Sequence, residues 1–415
     1  MKLHLTTRLT LICLLSTTFI INSSCEDKFE DPNINDITPN HFVGNDNQRI
    51  QFAIDSAKNT TNLVVIPKHN SNGSNEWLLD SAILVPSNIT IILDNCTIRL
   101  SDKCRDNMFR SENVGIGIIE PKWEQNINII GKGNVKLVGA NNPRSTGDAG
   151  KTLSHLPQKG ESYGTDSGKK GYEQTGDWRN IMVLMAYVDR FRIENIKIIN
   201  SHAWGISLER VTNASISNIN FQNREYITVN KQKVKTLNKD GINLRQGCKN
   251  ISISDCSGYT GDDFIALTNL MKADNISGNL YSTTVTSSNW FGIEDDIENI
   301  NIFNINCESK HSGIAIRASD SASIKNIRID RLDYNGPVNT ILIDGKSYGI
   351  SLPKKINNIG VVNFKGSGKS LVHIAAPISD CSFKYGIYIG EGDIVTYGIE
   401  KEKTHNITFE KLSKN

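Results

Sequence analysis

Four side chains in this sequence are of a kind that could do acid–base chemistry together: Asp240, Asp262, Asp263 and His311. Each lies one or two residues before a stretch of one form, Gly or Phe, then Ile, any residue and an aliphatic. Four such stretches occur, Gly205-Ile-Ser-Leu, Gly241-Ile-Asn-Leu, Phe264-Ile-Ala-Leu and Gly313-Ile-Ala-Ile. Before them stand Ala203-Trp204, Lys239-Asp240, Asp262-Asp263 and His311-Ser312. If the stretches are parallel strands stacked in register, about 4.8 Å apart, the preceding residues form rows along one edge. The three aspartates and the histidine then meet in one patch. Clustered carboxyls can divide the work of glycoside cleavage, one keeping its proton for the leaving oxygen and another ionised to activate water. The crowded negative charges themselves push one pKa upward and so supply the acid. A plainer reading makes Gly261-Asp262-Asp263 a turn, but its alignment with Asp240 and His311 favours a site. A lone histidine lacks the companion ligands of a zinc centre. No metal or other cofactor is therefore expected, and His311 is read as ordering or polarising the carboxylates.

The rest of the chain must supply strands that stack, and it repeats itself. Arg192-Ile-Glu-Asn-Ile-Lys-Ile, Ala214-Ser-Ile-Ser-Asn-Ile-Asn, Asn250-Ile-Ser-Ile-Ser, Asn299-Ile-Asn-Ile-Phe, Asn326-Ile-Arg-Ile, Asn358-Ile-Gly-Val-Val and Asn406-Ile-Thr-Phe share one pattern. Isoleucines at every second position mark half-buried strands, and spacings of roughly 20 to 50 residues mark a solenoid. No amphipathic helix interrupts them after residue 60, which argues against a doubly wound α/β sheet. The expected fold is all-β, a single-stranded right-handed parallel β-helix over residues 41–415, with isoleucines stacked inside and asparagines stacked at the turns. Residues 47–58 have helical spacing of Ile50, Ala53, Ile54 and Ala57 and are read as a cap over the N-terminal end. Residues 141–178, rich in Gly, Lys and Ser, read as one long loop. Cys96, Cys104, Cys248, Cys256, Cys307 and Cys381 lack metal-type spacing and are read as small buried residues rather than bridges.

Bulk properties set limits on function. The chain has 415 residues, 38% hydrophobic and 22% charged, with a formal net charge of +2, which gives no pointer to nucleic acid or to disorder. Its start does carry an address. Lys2 and Arg8 precede an apolar run from Leu9 to Ile21, and small polar residues lead to Cys25. That is the form of a secretory signal, too short for a membrane span. Residues 1–24 are read as a signal peptide, Cys25 as a lipidation site, and residues 25–40 as a tether. Asn22 stands where a lipoprotein signal has an aliphatic residue, whereas Glu26 and Asp27 resemble the surface-export signal of outer-membrane lipoproteins. The expected location is the outer membrane, facing outward, with a periplasmic or secreted protein as the alternative.

Asn238-Lys239-Asp240, Gly261-Asp262-Asp263 and then His311 resemble glycoside hydrolase family 28, the polygalacturonase family, whose pattern runs Asn-Thr-Asp, Gly-Asp-Asp, Gly-His-Gly and Arg-Ile-Lys. Trp204-Gly-Ile-Ser-Leu, Asn250-Ile-Ser-Ile-Ser-Asp-Cys and the opening Gly44-Asn-Asp with Val64-Val-Ile-Pro are similar too. The resemblance implies a parallel β-helix, and inverting hydrolysis of a pectin-like acidic polysaccharide by a monomer. It makes Asp262 the general acid, with Asp240 and Asp263 at the attacking water, and sets Asn238 and Trp204 at the substrate. Three departures stand out. Lys239 replaces Thr, His311-Ser312-Gly313 replaces Gly-His-Gly behind an insertion over about 270–298, and Thr340-Ile-Leu-Ile-Asp344-Gly-Lys346 stands in place of Arg-Ile-Lys. Arg245, Arg317 and Lys346 are candidates to replace the missing basic pair, against the plainer reading of solvated surface charges. Two further classes stay open. One is a lyase or epimerase on the same fold, aided by Ca²⁺, and the other is a noncatalytic glycan-binding surface lipoprotein.

Overall fold

Alternating isoleucines become continuous columns. One runs Val183, Ile206, Ile242, Ile265, Ile314, Ile341, Val372 and Val395, each paired in parallel register with the next. A second runs Ile193, Ile216, Ile253, Ile302, Ile329, Val361, Phe383 and Phe409. The computed structural model describes residues 36–104, 106–114, 118, 121–141, 181–224, 226–229, 232–235, 239–270, 292–319, 323–345 and 355–415. Cys25 with its signal, residues 25–35 of the expected tether, Asn238, Lys346 and nearly all of the expected 141–178 loop lie outside them, whereas residues 36–40, read as tether, belong to the folded unit, where Ile37 bridges Val64. Asp36–Asn415 forms one compact unit. Twenty-three of its described strands join in one parallel sheet that winds on itself, a β-helix, with a hydrophobic core along the axis. The six cysteines are buried in that core.

The turns explain the recurrent asparagines. Asn213, Asn250, Asn299, Asn326 and Asn358 all have positive φ, between 52° and 60°. Asparagine tolerates this left-handed conformation better than other residues with a Cβ. The side-chain amides of the last four each donate to the Oδ1 of the asparagine in the coil before, at 3.1, 2.9, 3.0 and 2.6 Å in succession. The expected cap is present as a helix over Asp46–Ala57, opened by a capping box between Asn45 and Gln48. Its Ile50, Ala53, Ile54 and Ala57 cover the core end. Asp46, Asn47 and Gln51 accept from the backbone N–H groups of Leu78, Asp80 and Leu84. They occupy groups that a bare sheet edge would leave open to another chain.

Candidate active site

Backbone bonds carry the register through the bends. Gly205 N–H donates to Asp240 O at 2.9 Å, Gly241 N–H to Asp263 O at 3.1 Å, and Phe264 N–H to Ser312 O at 2.9 Å. Trp204, Asp240, Asp263 and Ser312 therefore form one row, and Ala203, Lys239, Asp262 and His311 the next. Glycine at the bend is a packing requirement, because a Cβ on Gly241 would lie 2.6 Å from the carbonyl oxygen of Phe264.

Asp263 is the most heavily bonded member. It is 2% exposed. Its Oδ1 lies 2.7 Å from His311 Nδ1 and accepts from Ser312 N–H at 3.0 Å, while Arg317 Nη1 donates to Oδ2 at 2.5 Å. Burial pushes its pKa up, but the Arg317 charge and the His311 bond outweigh that and hold it at about 2. Asp262, half-buried, is raised to about 6 by burial and then by the charge on Asp263. Asp240 is raised well above the ordinary carboxylate range by burial, then by Asp262 and Asp263, although Asn243 Nδ2 donates to its Oδ2 at 2.5 Å. His311 is raised by its bond to Asp263, which favours the imidazolium. Tyr334 O–H donates to the His311 carbonyl at 2.7 Å and fixes that bend. One carboxyl of the patch is thus held ionised while its two neighbours keep a proton more readily than an isolated aspartate.

The other expected residues are placed as follows. Arg317 lies in the cluster itself, on Asp263. Arg245 is 1% exposed, with its guanidinium carbon 4.4 Å from the ring centroid of Trp204, itself 3% exposed. Both are packed into the wall beside the cluster. Lys239 is fully buried, its Nζ donates to Arg224 O at 2.7 Å, and burial lowers its pKa to about 7. Sequence reasoning missed Asn243 and Tyr334. It also missed an antiparallel hairpin, Tyr226–Val229 with Gln232–Lys235. Strand parity within Gly241-Ile-Asn-Leu could have shown that Asn243 shares the outer face, and the alternation of Tyr226-Ile-Thr-Val could have shown the hairpin.

Asp262, Asp263 and His311 could each offer a ligand atom to a metal ion, these atoms lying within 4.8 Å of one another. The Arg317 guanidinium on Asp263 already supplies the positive charge that a cation would bring.

The sequence matches the model of glycosyl hydrolases family 28 over residues 130–384, more than half of the chain and all of the cluster. Among solved structures, the fold is similar to a hyperthermoactive exopolygalacturonase from Thermotoga maritima, with 15% identity, TM-score 0.55 and 93% of each chain covered. It is similar to a polygalacturonase from Erwinia carotovora ssp. carotovora, with 16% identity, TM-score 0.54, and 94% of this chain and 99% of that one covered. A tailspike protein of E. coli bacteriophage HK620, in complex with a pentasaccharide, is also similar, with 12% identity, TM-score 0.57, and 92% and 67% covered. No curated protein matches the sequence. With the family pattern running through the coils that carry the carboxyls, the chain belongs to glycosyl hydrolases family 28 and is a glycoside hydrolase.

Proposed function

We propose that this enzyme hydrolyses a pectin-like acidic polysaccharide with inversion, using Asp262 as general acid and Asp240, beside Asp263, as the base that takes a proton from water. One observation carries the reading: Asp263 is held ionised by Arg317, His311 and the Ser312 amide while its neighbour Asp262 is raised to about 6. A fixed negative charge makes the adjacent carboxyls hold a proton that isolated aspartates would lose. Asp240, raised further, holds the shared proton more often, and the productive form of the pair is the one with the proton on Asp262 and Asp240 ionised. Asp262 gives it to the departing glycosidic oxygen as the bond to the anomeric carbon breaks. Water adds to the opposite face, and its proton passes to Asp240, whose raised pKa makes its ionised form the stronger base. Exchange with solvent returns the cluster to its first state. The pectic substrate class rests on the family and on the likeness to two polygalacturonases. The apolar start ending in Cys25 supports export and a lipid anchor.

A panel of pectic polysaccharides, with and without chelator, tests the reaction class. New reducing ends without ultraviolet-absorbing unsaturated sugars indicate hydrolysis, unsaturated ends a lyase, and no product on any substrate a binding protein. NMR of the first product tests the mechanism. An inverted anomer is expected, and a retained one overturns the direct displacement.

A further inference from the structure

Next to the carboxylate cluster lies an open cleft of about 570 Å³ lined by Arg224, Tyr226, Lys233, Tyr259, Thr260, Glu308 and Lys310. Its lining is joined to the cluster through hydrogen bonds and the backbone. Thr260 O–H donates to the Asp262 carbonyl at 2.9 Å, Lys310 N–H donates to Thr260 O at 3.2 Å, and Lys310 directly precedes His311. From the other side, the buried Lys239 ammonium beside Asp240 donates to the Arg224 carbonyl at 2.7 Å.

The lining carries three cations against one carboxylate, Glu308. Two of the cations are held on aromatic rings. The Arg224 guanidinium carbon lies 5.3 Å from the Tyr259 centroid, with Nε donating to the Tyr259 hydroxyl at 3.1 Å, and Lys233 Nζ lies 4.2 Å from the Tyr226 centroid. Among the described residues none of the three has an ion-pair partner. An aromatic face restrains a cationic side chain without neutralising it, so its remaining donors stay available to an anion. Tyr226 and Lys233 come from the antiparallel hairpin, an addition to the coils rather than part of them.

We propose that this hairpin cleft is a subsite for a carboxylate-bearing sugar unit of the polysaccharide that neighbours the unit being cleaved, recognised by Arg224, Lys233 and Lys310. The proposal rests on the reading of the cluster as the cleavage site of an acidic glycan. It sets recognition of the substrate charge on the hairpin side, whereas Arg317 is engaged with Asp263 and Arg245 is buried.

The test measures binding without turnover. The full chain with Asp262→Asn is titrated calorimetrically with an oligogalacturonide and with its carboxyl-reduced neutral counterpart, at low and high salt. Adding Lys233→Gln and Lys310→Gln should weaken binding of the acidic oligomer about 10-fold, as expected for two exposed charge contacts. Binding of the neutral oligomer should not change, and the 10-fold difference should shrink in high salt. Unchanged affinity for the acidic oligomer overturns the subsite, as does equal loss for both oligomers or no binding of the acidic oligomer before the lysines are changed. Failure of the catalytic reading shows separately, as continued hydrolysis by Asp262→Asn.

Discussion

Replacing Arg317 by Gln should expose how the cluster is charged. The guanidinium donates to Asp263 at 2.5 Å, and the two side chains are 12% and 3% exposed, so solvent screens the pair little. Charges about 4 Å apart at an effective dielectric of about 20 attract by about 4 kcal/mol. The pKa gives a second measure. A carboxyl that falls from 3.8 to about 2 on folding, despite its burial, gains on the order of 2 kcal/mol at neutral pH. Breaking a buried pair from one side typically costs about 3–5 kcal/mol. Arg317→Gln should therefore lose about 3 kcal/mol of unfolding free energy at pH 7. The sign follows from the lowered pKa: this stability is present above pH 3.8 and is lost as pH falls through about 2. Urea unfolding at pH 7 and near pH 2.5 measures both ends, and the penalty should be much smaller in acid. A cycle with Asp263→Asn isolates the pair from other effects. A loss below about 1 kcal/mol at neutral pH, or one independent of pH, would refute the claim that Arg317 keeps Asp263 ionised.

Asp262→Asn should keep its far-ultraviolet circular dichroism and lose about 10²-fold or more in kcat; near-normal turnover removes Asp262 as the acid. In the unaltered enzyme kcat/KM should fall on the alkaline side as the pair of Asp240 and Asp262 gives up its last proton, a step that burial and the Asp263 charge move well above the ordinary carboxylate range; an alkaline fall at the pH of an isolated aspartate contradicts the assignment. Chelation should leave hydrolysis intact, and loss restored by one divalent metal would instead make Asp262, Asp263 and His311 its ligands. Asn299→Val places a β-branched residue at φ 59° and cuts bonds to Asn250 and Asn326, so thermal unfolding should show a loss of about 2 kcal/mol, against a smaller one for Asn299→Gly. Cys25→Ala should abolish membrane association in fractionated cells, and its retention there would end the lipoprotein reading.

The β-helix was legible in the chain because its rules are local. Period-two isoleucines fix which side chains face the axis. Asparagines mark the left-handed turns, and glycines mark bends where the next coil's backbone lies too close for a Cβ. The rows of Asp240, Asp262, Asp263 and His311 followed from that stacking, since parallel strands in register carry their preceding residues into register too. The division of charge among the carboxyls did not follow. Arg317, a candidate for substrate contact by sequence, lies 54 residues from Asp263 along the chain and beside it in space. Nothing in the local pattern says that its side chain turns toward the cluster. The same holds for Asn243 on Asp240, and for the hairpin that brings Tyr226 and Lys233 to the coil edge. Strand spacing repeats, so sequence can place residues along a solenoid. A carboxyl's proton affinity depends on burial and on the direction of a few side chains within several ångströms, and only the packed coils set those.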